Sequence, residues 1–181
     1  MKKTIWTFGL ISGAIMSIMM VVTIPFIDSI GSSTGEVIGY TSMVLAFLLV
    51  FFGIRSYRDN VRGGTIGFGR AFSVGLLIAA IASLCYVATW EVLYFKVFTD
   101  FDAKMEQASL ARARAAGKSE AEVQKVRAQA ESFSRLYRNP LYNSAITFLE
   151  PLPVGVVMAL VSAGILRRKR RGAGEASLVA A

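Results

Sequence analysis

Four long apolar stretches constrain this chain more than any other feature of its sequence. A segment that crosses a bilayer finds no water for its backbone amides, so it must be a helix of about 20 mainly apolar residues. The hydrophobic core of a small soluble domain does not require four such stretches. The sequence therefore predicts an all-α polytopic membrane protein with four transmembrane helices, at residues 5–27, 38–54, 71–95 and 145–166.

Composition excludes the other broad classes. Apolar residues make up 54% of the chain and charged residues 18%, which is more apolar and less charged than soluble domains and opposite to disordered chains. The single cysteine, Cys85, excludes an intrachain disulfide, and with no histidine the commonest metal ligand is missing. Since a nucleophile elbow and a nucleotide-binding loop are also missing, we expect a protein that is not an enzyme and holds neither metal nor cofactor.

The positions of Lys and Arg predict the orientation in the membrane. The loop at residues 28–37 has no basic residue, and the long segment 96–144 counts little in the positive-inside rule. We therefore expect one membrane domain over residues 1–170, both termini in the cytoplasm and a flexible cytoplasmic tail at 171–181. The net charge of +8 then indicates orientation and not nucleic-acid binding. The basic residues on the predicted cytoplasmic side are Lys2, Lys3, Arg55, Arg58, Arg62, Arg70, Arg167, Arg168, Lys169, Arg170 and Arg171.

Lys2 and Lys3 before the first stretch also fit a cleaved signal peptide. The apolar region of a signal peptide is only about 7–15 residues long and ends in a small-residue cleavage site. The first stretch is longer, and residues 25–28 offer no such site. We therefore expect it to be a retained helix.

Two neighbouring motifs carry a resemblance to a known family. The first is Gly-Ile-Arg-Ser-Tyr-Arg-Asp at residues 53–59, and the second is Phe-Gly-Arg-Ala-Phe at residues 68–72. With these motifs the chain resembles, loosely through about Arg170, the bacterial membrane-protein family catalogued as domain of unknown function 4199. The resemblance implies a multi-pass protein of the inner membrane of a Gram-negative bacterium, and it supplies no activity, substrate or catalytic residue.

The glycine-rich loop between the second and third stretches invites comparison with phosphate-binding loops. Gly67 and Gly69 are followed by Phe72 where a dinucleotide fingerprint requires a third glycine, and no Gly-Lys-Ser/Thr ends the loop. A tight cytoplasmic turn is therefore favoured. Its basic residues are candidate contacts to lipid phosphates, namely Arg55, Arg58, Arg62 and Arg70.

The charged segment at residues 99–139 predicts an extracytoplasmic helical hairpin between the third and fourth spans. Gly117 breaks the first helix, a capping box at residues 119–122 begins the second, and Asn139-Pro140 ends it. The second helix carries an apolar seam, which either packs on the first helix through Phe101, Met105 and Ala108 or binds a protein partner. The seam consists of Val123, Val126, Ala130, Phe133 and Tyr137.

Small residues recur at four-residue spacing in three of the stretches. Such faces let helix backbones approach closely in lipid. They indicate either packing within one four-helix bundle or formation of a homo-oligomer. The residues are Gly9, Gly13 and Ser17 in the first stretch, Gly75, Ala79 and Ser83 in the third, and Gly155, Ala159 and Ala163 in the fourth.

Two acidic residues are the candidate functional residues within the membrane. Glu91 lies near the outer end of the third stretch, and Glu150 lies in the outer third of the fourth, before Pro151 and Pro153. Charged groups at membrane depth often mark a pathway, and prolines suit a broken helix that lines a cavity. The structural alternative is that both acids lie close enough to the membrane interface to be hydrated, or that they pair with a basic side chain.

The sequence favours a structural or accessory membrane protein that acts through helix–helix contacts, as a homo-oligomer or with a membrane-protein partner in the lipid bilayer. The alternative is a small oligomeric transporter or proton-coupled channel that uses Glu91 and Glu150. The two functions differ in whether these acids face one enclosed, hydrated cavity.

Overall fold

The computed structural model describes residues 1–26 and 32–167 and is helical throughout these ranges apart from short turns. The expected tail at 171–181, the loop at 27–31 and the basic residues at 168–171 lie outside the described residues. A 3-10 turn, Ile24–Phe26, follows the first helix, and a π-helical turn, Leu93–Val97, follows the third. The helices are α1 (Lys2–Thr23), α2 (Ser32–Val61), α3 (Phe68–Val92), α4 (Phe101–Ala115), α5 (Glu120–Tyr137), α6 (Pro140–Leu149) and α7 (Leu152–Leu166).

Four segments of the described chain are long and apolar enough to cross a membrane, which confirms the number of predicted spans. They are Lys2–Phe26, Thr34–Val61, Phe68–Val97 and Pro140–Leu166. Each extends beyond the apolar stretch that predicted it, because charged residues end a stretch of high hydropathy without ending a helix. The fourth segment is two helices, α6 and α7, which are interrupted at Glu150 and Pro151.

The second span shows this extension most clearly. It was expected to end at Ile54, but α2 continues to Val61. Arg58 donates two hydrogen bonds to Asp59 in this last part, at 2.6 and 3.1 Å, so the charges are paired on the helix surface. The chain turns only at Gly63 and Gly64, whose φ angles of +62° and +84° are accessible to glycine with little strain.

The described chain divides into two compact units. One unit consists of residues 1–85 with the described part of 151–181, and the other is Tyr86–Glu150. The division arises because the charged hairpin and the helix ends beside it make most of their contacts among themselves. Both candidate acids belong to the second unit.

Small residues hold the first unit together. A Cβ on Gly13 of α1 would lie 2.6 Å from Cβ of Cys85 on α3, so the two helices approach too closely there for any side chain. A Cβ on Gly155 of α7 would lie 2.8 Å from that of Ala79 on α3. Ser12 donates a hydrogen bond of 2.9 Å to the carbonyl of Ala46 on α2. These small residues therefore allow helices of the same chain to pack closely, as expected from the first of the two alternatives.

The hairpin of the second unit follows the local signals in its sequence. Gly117, at φ +71°, ends α4 with hydrogen bonds from its own amide to Arg114 and from Lys118 to Ala113, the pattern of a Schellman motif. The predicted capping box at Ser119 and Glu122 is confirmed, with both of its reciprocal hydrogen bonds present.

The seam on α5 is covered at its beginning and at its end. Val123 is buried against Leu110 and Ala113 of α4, with Val126 beside them. Tyr137, at the other end, is half-buried and accepts a hydrogen bond from Nε1 of Trp90. Of the partners expected on α4, Met105 is exposed and Phe101 packs edge-on against Trp90 at a centroid distance of 5.0 Å. Between the two covered ends, Phe133 is half-exposed.

Candidate functional site

Glu91 and Glu150 each accept a hydrogen bond from a hydroxyl group on the segment opposite. Ser144 of α6 donates to Oε1 of Glu91 at 2.8 Å, and Tyr86 of α3 donates to Oε2 of Glu150 at 3.1 Å. Since residue numbers rise along α3 as they fall along the fourth segment, the two pairs form successive cross-links between antiparallel helices. Each cross-link has one carboxylate and one hydroxyl, so the two acids stand diagonally across the helix pair.

Both cross-links lie within stretches that are long and apolar enough to span a membrane, Phe68–Val97 and Pro140–Leu166. Glu91 lies near the end of the first stretch, and Glu150 lies at the break between the two helices of the second. Both carboxylates therefore belong to candidate membrane spans.

A second polar network, centred on Tyr137 at the end of α5, joins this helix to α3 and α6. Trp90 donates from Nε1 to the Tyr137 hydroxyl at 3.0 Å, and that hydroxyl is 3.1 Å from Oγ1 of Thr147. Thr147 donates to Asn143, whose amide donates to the backbone carbonyl of Tyr137. Asn143 and Thr147 are buried. Burial of a polar side chain without a hydrogen bond costs free energy, and the network supplies these hydrogen bonds. Burial raises the pKa of the Tyr137 hydroxyl above its ordinary value.

Asp102 fixes the base of the hairpin. Its carboxylate accepts hydrogen bonds from the Tyr94 hydroxyl at 2.8 Å, from the Ser134 hydroxyl at 2.8 Å and from Nε of Arg138 at 3.1 Å. Burial acts to raise the pKa of Asp102, but the hydrogen bonds from Ser134, Tyr94 and Arg138 outweigh it and hold the pKa below its usual value. Three separate segments of the second unit thus meet at one ionised carboxylate.

The four candidate arginines lie in the first unit, around the turn between α2 and α3. Arg58 pairs with Asp59, and Nε of Arg55 lies 3.8 Å from the same carboxylate. Arg62 is exposed at the end of α2, and Arg70 is exposed in the first turn of α3, with Nη1 3.7 Å from Sδ of Met1. The arrangement is a basic surface beside the end of a span and leaves exposed guanidinium groups for anions.

Sequence reasoning missed most of these partners. It singled out both glutamates but neither Tyr86 nor Ser144, and it gave no role to Asp102. A hydroxyl within a span is a weak signal by itself, because it can also bond to its own helix backbone. The only available signal was the concentration of Trp, Tyr and Asn beside the predicted hairpin, which is unusual for a face in lipid.

Comparison with known proteins identifies the family. The family model described as "Protein of unknown function (DUF4199)" matches residues 7–168. The chain belongs to this family. The matched range contains most of the first candidate span, the other three spans and the hairpin. The chain matches no curated protein and no solved structure.

Proposed function

We propose that this DUF4199 chain is a structural or accessory protein of a bacterial inner membrane, not an enzyme, which acts through helix–helix or partner contacts. One observation carries the proposal: Glu91 and Glu150, its two candidate intramembrane acids, are both engaged in hydrogen bonds that link α3 to the fourth segment. An interhelical hydrogen bond in a membrane contributes on the order of 1 kcal/mol and fixes the register of the helices.

The proposed orientation has both termini in the cytoplasm and the α4–α5 hairpin outside. The basic surface around the turn at Gly63 and Gly64 supports it, since Arg62 and Arg70 are exposed there beside the ends of two spans. The same arginines would contact the phosphates of the cytoplasmic leaflet. The basic residues of the hairpin lie in the long segment 96–144, which counts little in the positive-inside rule.

A second candidate function is a small oligomeric transporter or proton-coupled channel. The exposure of Glu150 favours it, because this carboxylate lies within a candidate span and beside a break in the helix. Several copies of the chain would be needed to enclose a path around it. A proton-coupled function requires titratable acids at positions 91 and 150, whereas a structural function does not. Replacement of each acid by glutamine distinguishes the two.

The proposal of partner contacts is tested by extracting the protein with its native lipids into polymer-bounded discs. We expect a defined homo-oligomer or a membrane protein present in fixed proportion, and the Glu91→Gln variant should retain that assembly. A monomer without a partner, which nevertheless conducts protons in liposomes, would contradict the proposal and support the second function.

A further inference from the structure

An exposed apolar surface lies where α5 ends and α6 begins. Leu141 at the start of α6 is 80% exposed, Leu136 near the end of α5 is 54% exposed, and Phe133 one turn earlier is 50% exposed. We call these three residues the elbow surface. Since the α4–α5 hairpin is otherwise rich in charge, three large apolar side chains at its base require an apolar environment.

The aromatic residues beside the elbow surface fix its depth. Tyr137 follows Leu136 directly, stacks on Phe133 at a centroid distance of 5.1 Å and accepts the hydrogen bond from Trp90. Leu141 lies in the first turn of the candidate span Pro140–Leu166, so the elbow surface lies at the end of that span. Trp and Tyr prefer the boundary between the core and the headgroups. The elbow surface therefore lies at the level of the lipid headgroups.

The elbow surface also adjoins, along the chain, the exposed apolar residues of α6 that lie within a candidate membrane span. Leu141, Ala145 and Leu149 of α6 are exposed at four-residue spacing, and all three lie inside the candidate span Pro140–Leu166. Phe133 and Leu136 are exposed in the last two turns of α5, immediately before the span begins. Arg135 and Arg138 are exposed beside them, at the positions where the phosphates of an adjacent leaflet would lie.

We propose that the elbow surface inserts into the outer leaflet, so that the end of α5 is a monotopic membrane contact in addition to the four spans. The occupant is lipid, since the surface lies at headgroup depth, adjoins the exposed apolar residues of α6 along the chain and is flanked by basic side chains. The contact would hold the hairpin against the bilayer at its base, while its tip at Gly117 projects into water. This inference does not depend on the function of Glu91 and Glu150.

Spin labels can measure the insertion directly. In a Cys85→Ser background reconstituted into liposomes of phosphatidylethanolamine and phosphatidylglycerol, Leu136→Cys would be labelled with a nitroxide. We expect greater collision with oxygen than with a water-soluble nickel chelate, as for Leu84→Cys, an exposed position in the middle of α3. Gln129→Cys, exposed on α5 nearer the hairpin tip, is the matched control and should favour the nickel chelate.

Two results would overturn the proposal. Equal nickel accessibility at residues 136 and 129 would mean that the elbow surface faces water, and protection from both reagents would mean that protein covers it. A benzophenone amino acid at position 136, with Cys85 left in place, tests the same point without the background substitution. Illumination should yield lipid adducts, and protein cross-links in their place would contradict insertion.

Discussion

The Ser144 hydroxyl donates to Glu91 at 2.8 Å, and this bond joins the C-terminal end of α3 to α6. A serine donor satisfies one lone pair of the carboxylate and places no opposite charge beside it. The cross-link from Tyr86 to Glu150 repeats the arrangement on the same helix pair. Each bond can also form when glutamine replaces the acid, because the amide oxygen accepts from the same hydroxyl group. Glutamine carries no titratable proton, so this replacement distinguishes a structural role from a proton-coupled one.

The orientation can be tested with reporter fusions. A reporter active only in the cytoplasm should function when fused after Arg171 or inserted between Gly63 and Gly64. It should be silent between Gly117 and Lys118, because the positive-inside rule places that turn outside. Activity at the hairpin turn would show that the proposed orientation is reversed.

The close packing of α1 on α3 at Gly13 predicts that a larger side chain there lowers stability. Gly13→Ala would bring a methyl group within 2.6 Å of Cβ of Cys85, and relief of that clash must move a helix backbone. We expect a loss of about 1–3 kcal/mol in stability, visible as a lower melting temperature in detergent. Gly164→Ala, where a Cβ would meet nothing within 4 Å, is the matched control and should melt at or above the wild-type temperature.

Burial of Val123 predicts that the hairpin opens when this residue becomes charged. Val123 is 1% exposed between Leu110 and Ala113, and an unpaired carboxylate there costs several kcal/mol. Val123→Asp should accelerate tryptic cleavage at the hairpin tip without changing the size of the assembly. Gln124→Asp adds the same charge at the exposed neighbouring position and should digest as the wild type does. Equal digestion of the two variants would show that the tip is not packed.

The pKa of Asp102 predicts how the hairpin responds to acid. Because hydrogen bonds hold this pKa below its usual value, ionised Asp102 stabilises the fold above pH about 4, and this stabilisation is lost as the pH falls through the lowered pKa. Hydrogen exchange in α5 should therefore accelerate on acidification.

Asp102→Asn should show weaker protection already at neutral pH, by about 1–2 kcal/mol, and a flatter acid response. Asp100→Asn is the control, since Asp100 pairs only across one helical turn with exposed Lys104. An acid response unchanged in Asp102→Asn would assign the transition to another group.

The sequence predicts the features of this protein that depend on local signals. The four spans follow from hydropathy, and the start of α5 follows from the capping box at Ser119, because both signals act within a few residues. The pairing of Tyr86 with Glu150 depends on the register of two helices that are distant in sequence. Asp102 likewise gains its partners only after the hairpin closes, so no spacing along the chain could indicate it.

The central proposal is that Glu91 and Glu150 serve as hydrogen-bond acceptors between helices and do not carry protons across the membrane. The most direct test compares Glu91→Gln and Glu150→Gln with wild type and with Glu131→Gln, an exposed hairpin control, in liposomes loaded with a pH-sensitive dye. The account predicts that all four proteins are folded, melt within a few degrees of one another and give the same proton leak across a pH gradient. A pH-dependent flux in the wild type that either intramembrane variant abolishes, with Glu131→Gln unaffected, would contradict it.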